Sequence, residues 1–183
     1  MTVTLYKWSI EDWHQLVDSG VLEDKNVELL NGDIVTMSPE REEHSYTNDD
    51  VAEYLRELLR GLAKIRESHP ITLDNSEPEP DIAIARLPKT IYLQHHPYAE
   101  DIYWLVEISN ATLNFDLNQK ADVYAQSLIQ EYWVIDLQNN KVIVHTEPNG
   151  GKYQRIMEYT AGIINPVAFP DLKVELDRLL LYR

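Results

Sequence analysis

One acidic residue stands inside the most apolar run of this chain. Ile102-Tyr103-Trp104-Leu105-Val106-Glu107-Ile108 is too short for a typical helix and reads as a central strand buried on both faces. Strand alternation puts Glu107 on one face with Leu105 and Tyr103. An unpaired carboxylate there would cost several kcal/mol, which a metal ion or a cationic side chain must offset. Asp81 follows Pro80 and opens a second strand, Asp81 to Ala85, beside the small residues Ala83 and Ala85. Either acid alone reads as a strand-end carboxylate pointing to water. As a pair on neighbouring strands they offer hard oxygens that suit Mg²⁺, completed by water and a phosphate. Lys120 stands on the helix that follows, with Asp116 and Tyr124 four residues to either side on the same flank. Its stem can run along apolar surface towards Glu107, and its ammonium can position a water or steady a charged phosphate. The bland alternative is an Asp116–Lys120 surface pair worth about 0.3–0.5 kcal/mol.

Elements placed on either side must hold these groups. A short helix is expected from Trp8 to Leu16, capped by Ser9. Val27 to Leu30 and Ile34 to Met37 flank Asn31-Gly32, a strong hairpin signal because both turn positions need positive φ. A helix is expected from Glu40 to Ile65, with Val51, Leu55, Leu58, Leu59 and Leu62 as its buried stripe. Ile71 to Leu73 reads as a short strand, Asp74 to Pro80 as a loop or an irregular edge segment, and Leu87 to Glu100 as a long loop; the acids Asp74, Glu77, Glu79 and Asp81 form a cluster that could widen a metal site, although a charge run in a Pro-rich loop is usually solvated. Asp116 to Gln130 reads as a helix burying Leu117, Ala121, Tyr124 and Leu128. Tyr132 to Ile135 and Val142 to Val144 form a second hairpin around Asn139-Asn140, and Tyr153 to Tyr159 adds a strand. Leu172, Val174, Leu176 and Leu179 can pack as a cover. The order predicts an α/β, mixed α+β fold with a central mixed β-sheet flanked by helices, in a single domain over 1–183.

Composition narrows the chemistry. The chain has no Cys, which excludes disulfides and thiolate metal sites and fits a reducing cytoplasm. No apolar run approaches the roughly 20 residues needed to span a bilayer, and no signal peptide is visible. The formal charge is −15, from 16 Lys+Arg against 31 Asp+Glu. This argues against nonspecific coating of nucleic acid, which needs cationic neutralisation. His95-His96 lacks the partners of a zinc site. Gly-rich phosphate loops are absent, and Ser109 has no nucleophile-activating partner in sequence.

Several blocks together resemble the Uma-two family of endonucleases, a branch of the restriction-endonuclease-like superfamily with its Pro-Asp…(Asp/Glu)-x-Lys signature. These are Val27 to Ile34, Ser38-Pro39 with His44, Glu79-Pro80-Asp81-Ile82-Ala83, and Leu105 to Leu113 continuing through Asp116, Lys120, Tyr124-Ala125 and Glu131 to Asp136. The resemblance implies a restriction-endonuclease-like core and divalent-metal-dependent cleavage of a phosphodiester. Asp81, Glu107 and the backbone carbonyl of Ile108 would hold Mg²⁺, with Mn²⁺ as a substitute. The superfamily's Lys usually stands two residues after the second acid; Ser109 occupies that position here, and Lys120 is the candidate replacement. Glu28 and His44 also match family positions. Glu28 reads equally as a metal ligand or a hairpin-stabilising acid, and His44 as a helix-start hydrogen-bonding residue. The expected substrate is DNA. One rival reading is a non-catalytic nucleic-acid-binding or regulatory module that retains the fold; another is a dimerisation domain, a homodimer built on strand edges and the apolar tail.

Overall fold

The computed structural model describes residues 3–180, and its architecture is set by the apolar run around Glu107. In chain order the elements are α1 (Ile10–Asp18), β1 (Val27–Leu30), β2 (Asp33–Thr36), α2 (Glu42–Leu58), β3 (Lys64–Glu67), β4 (Ile82–Ala85) and β5 (Ile102–Ser109). A helical crossover follows, made of α3 (Leu113–Phe115), a π-helical turn (Asp116–Lys120) and α4 (Ala121–Gln126). The chain then forms β6 (Glu131–Asp136), β7 (Lys141–Asn149), β8 (Lys152–Tyr159), β9 (Ile163–Ile164) and β10 (Val174–Glu175).

Six strands make one mixed sheet in the order β3-β4-β5-β6-β7-β8. Only β5 and β6 run parallel; the other neighbours are antiparallel. A parallel pair needs a crossover connection, and the α3–α4 segment supplies it. Helices therefore cover both faces. On one face α2 and the C-terminal residues Ile164, Val174, Leu176 and Leu179 enclose Ile84, Trp104, Val106 and Trp133. On the other, α4 and Leu30 of β1 enclose Ala83, Leu105, Tyr132 and Val134. The predicted mixed sheet flanked by helices is the fold observed.

Local signals explain several elements. Ser9 caps α1 through a capping box with Asp12. Asn31 and Gly32 both have positive φ, as a tight hairpin requires, and β1 and β2 pair in register around them. The C-terminal apolar residues pack as a cover, with Val174, Leu176 and Leu179 buried.

Other expectations fail for identifiable reasons. The helix predicted to reach Ile65 ends at Leu58. The chain turns at Gly61, where φ is +79°, and Ile65 pairs with Ile84 in β3. Leu62 is consequently 48% exposed instead of buried. Strand pairing thus wins over a helical hydrophobic pattern. Ile71 to Leu73 is buried but not a strand; its amides bond to the carbonyls of Pro78, Pro97 and Ser76. The crossover helix begins at Leu113 and stops at Gln126, so Leu128, with positive φ, is exposed. The long loop holds two short 3₁₀ turns, Lys89–Leu93 and Ala99–Asp101. Finally, Ile84 pairs with Trp104 but Ala85 with Ile102, which leaves Tyr103 as a bulged residue. The bulge swaps the alternation. Tyr103 packs towards Phe169 on the α2 face, while Ile102 takes the face of Leu105.

Candidate active site

The end of β5 meets the start of β4, the hairpin and the crossover helix around a cavity of about 690 Å³. Glu28, His44, Asp81, Glu107, Ile108 and Lys120 all line it. The antiparallel register pairs Ile82 with Val106, so the residues just beyond, Asp81 and Glu107, lie across from each other. Asp81 Oδ2 accepts a hydrogen bond from the Ile108 amide at 2.6 Å, which turns its carboxylate onto the end of β5.

Glu107 is buried and accepts two hydrogen bonds on the same oxygen, Oε1. Lys120 Nζ donates at 2.9 Å and the Tyr124 hydroxyl at 2.8 Å. Among the described residues nothing donates to its Oε2. Lys120 is only 1% exposed, so the surface-pair alternative with Asp116 does not hold. Asp116 is itself buried and accepts from the Ser109 hydroxyl at 2.6 Å; its carbonyl accepts from Tyr132. Ser109 thus stands where the signature's Lys would be and pins the turn that delivers Lys120. The ammonium arrives at the acid from the helix instead of along the strand.

Glu28 projects from the hairpin into the same charge cluster. Its Oε1 accepts from the Glu79 amide at 3.1 Å and lies 3.8 Å from Lys120 Nζ. Its Oε2 is buried with no hydrogen-bond partner. His44, on the first turn of α2, places Nε2 3.1 Å from Asp81 Oδ2 and Nδ1 3.8 Å from Glu40. His44 therefore touches an acid at the cavity as well as starting a helix. Glu40, His44 and Asp81 each present a ligand atom within 4.8 Å of the others.

The electrostatics follow from one ammonium facing four carboxylates. Burial pushes Glu107 well above the ordinary carboxylate range; Lys120 pulls it down, and Asp81, Asp116 and Glu28 push it up again. Burial likewise raises Glu28 and Asp116. For Lys120 burial disfavours the charge, but Glu107, Glu28, Asp116 and Asp81 outweigh it and hold the ammonium protonated. For His44 burial is again the opposing effect; Asp81, Glu40 and Asp116 outweigh it and raise its pKa.

Sequence reasoning passes over two participants at the cavity, Glu40 and the Tyr124 hydroxyl, and misjudges the burial of Glu77. Glu40 has no motif of its own and enters through its place one turn before His44. The Tyr124 hydroxyl is hidden because Tyr124 reads as a core residue in an apolar stripe. Glu77 falls in a stretch that reads as a solvated acidic loop, yet it is buried and accepts from Trp13 Nε1 and the Thr72 hydroxyl, with His14 at 2.8 Å. It anchors α1 away from the cavity. No described helix is long and apolar enough to cross a membrane.

No curated protein matches the chain. A crystal structure described as "a putative nuclease belonging to DUF820", from Anabaena variabilis, is similar in fold. Its TM-score is 0.65 at 16% identity, with 84% of this chain and 88% of that chain covered. Residues 10–177 match the family model Uma2, described as "Putative restriction endonuclease". With nearly the whole chain matched, the protein belongs to the Uma2 family.

Proposed function

We propose that the protein is a divalent-metal-dependent endonuclease that hydrolyses phosphodiester bonds of DNA in the cytoplasm, acting as one domain over 1–183. The observation that carries this reading is the excess of carboxyl groups over cations at the cavity. Glu28, Asp81, Glu107 and Asp116 converge on a single ammonium, and one buried oxygen of Glu28 has no partner. Hard, under-satisfied oxygens of this kind fit Mg²⁺, with Mn²⁺ able to replace it. Asp81, Glu107 and the Ile108 carbonyl would hold the ion, with Glu28 and His44 as auxiliary groups. When bound it polarises the phosphate and lowers the pKa of water. Lys120 remains charged and orients the attacking water or steadies the phosphate as negative charge builds. Tyr124 and Lys120 hold Glu107 Oε1, which leaves Oε2 without a protein donor among the described residues.

One test is cleavage of plasmid DNA with Mg²⁺ or Mn²⁺, run beside thermal melting. Asp81→Ala and Glu107→Ala should lose cleavage by about 100-fold or more, and should lose the rise in melting temperature that saturating metal gives the native chain. A folded Glu107→Ala protein that cuts at the native rate would overturn the assignment. The net charge of −15 favours a second reading, a DNA-binding or regulatory module without catalysis. DNA binding with no cleavage under any divalent metal would establish that reading instead.

A further inference from the structure

We infer that the β3 edge of the sheet carries the phosphate backbone of bound DNA, through Lys64, Arg66 and Lys89. The inference rests on the nuclease reading and assigns the surface along which the substrate reaches the acidic cavity.

The charge distribution singles out this edge. Acids outnumber bases 31 to 16 over the chain, yet Lys64 has Arg56, Lys89 and Arg66 as its charged neighbours. Glu67 is the acid of β3, and it is already paired with Arg56. Among the described residues no carboxylate pairs with Lys64, Arg66 or Lys89. Lys64 and Arg66 are half-buried, so neither is fully hydrated. Arg66 Nε is buried with no hydrogen-bond partner, and Nη2 reaches only the Pro70 carbonyl, at 3.5 Å. The Arg66 guanidinium sits 5.6 Å from the centre of the Tyr92 ring, which holds it in place. Cations that are partly desolvated, close together and unpaired lack a counter-charge, and phosphate oxygens supply one.

The path to the cavity is continuous. Ile65 points into the core, while Lys64 and Arg66 alternate with it and pair with Ala85 and Ala83, on the sheet face that carries Leu105. Two residues beyond Arg66, Ser68 lines the cavity and its amide donates to the Asp81 carbonyl at 3.0 Å. Lys64 to Ser68 spans about 13 Å of extended chain, or roughly four nucleotide steps.

The test is binding of a fluorescent DNA duplex to the full chain without divalent metal, so that nothing is cut, followed by anisotropy over a range of salt. Lys64→Gln/Lys89→Gln avoids the more tightly packed Arg66. It should weaken binding by about tenfold or more and lower the slope of log K against log salt by about 2. Lys141→Gln/Lys152→Gln makes the same charge change towards the opposite edge of the sheet and should alter affinity less than twofold. The Mn²⁺ melting shift should be the same in all three proteins. Unchanged binding in Lys64→Gln/Lys89→Gln, or an equal loss in both double variants, overturns the β3 assignment while leaving the nuclease reading intact. A native chain that binds no DNA and shows no Mn²⁺ shift overturns both.

Discussion

Lys120 is a buried ammonium that donates to Glu107 and lies 3.8 Å from Glu28. Removing one partner of such a pair leaves a bare charge behind, which costs far more than the pair contributes. Lys120→Ala should therefore lose about 3–5 kcal/mol in urea unfolding at pH 7. Lys120→Ala/Glu107→Gln should recover a large part of that loss, because the stranded charge goes with it, although cleavage stays absent. Additive losses in the double variant would mean that the two groups do not interact. Tyr124→Phe is the gentler probe. It removes one donor from Glu107 Oε1 and should cost about 1–2 kcal/mol, and it should reduce cleavage.

The β1–β2 hairpin shows how an element places a charge. Gly32 has a φ of +74°, and a Cβ there would stand 2.9 Å from Lys7 Cβ and 3.1 Å from the Trp8 carbonyl oxygen. The Gly32 carbonyl also accepts from the Trp8 amide, tying the hairpin to the segment before α1. Gly32→Ala should thus lower stability by about 1–3 kcal/mol, seen as an earlier melt. It should also reduce cleavage, since the strand leading into that turn carries Glu28. The crossover is the second positioning element. Its π-helical turn is tied down at Asp116, by Ser109 on the side chain and Tyr132 on the backbone, one turn before Lys120.

Across the whole molecule, one buried acid outside the site sets a pH dependence. Glu131 accepts from Trp133 Nε1 and from the Val167 amide, which ties the start of β6 to the C-terminal segment. Burial raises its carboxyl to about 7, from an ordinary value of 4.5. Below the ordinary value both folded and unfolded chains are protonated, and there is no effect. As pH rises from there to 7 the unfolded chain releases its proton and the folded one does not, so stability falls; above 7 the loss is complete. The contribution is on the order of 3 kcal/mol. The difference between native and Glu131→Gln unfolding free energies should therefore drift between about pH 4.5 and 7 and flatten above 7. A difference that stays constant with pH would show that Glu131 does not titrate there.

What the amino-acid sequence determined by itself is what short-range physics controls. Alternation, turn chemistry and the length of an apolar run act over a few neighbours, so β5, the Asn31-Gly32 hairpin and the acid stranded at Glu107 are legible from their own surroundings. The rest depends on residues far apart in the chain. Whether Ile65 belongs to a helix or a strand is decided by Ile84 across the sheet, and the turn of Tyr103 to the other face by a bulge against β4. The contacts of Glu28, His44 and Tyr124 with charges on other elements exist only once register and crossover path are set. Hydrophobic pattern specifies which face is inward, but it carries no information about which distant polar group will be waiting there.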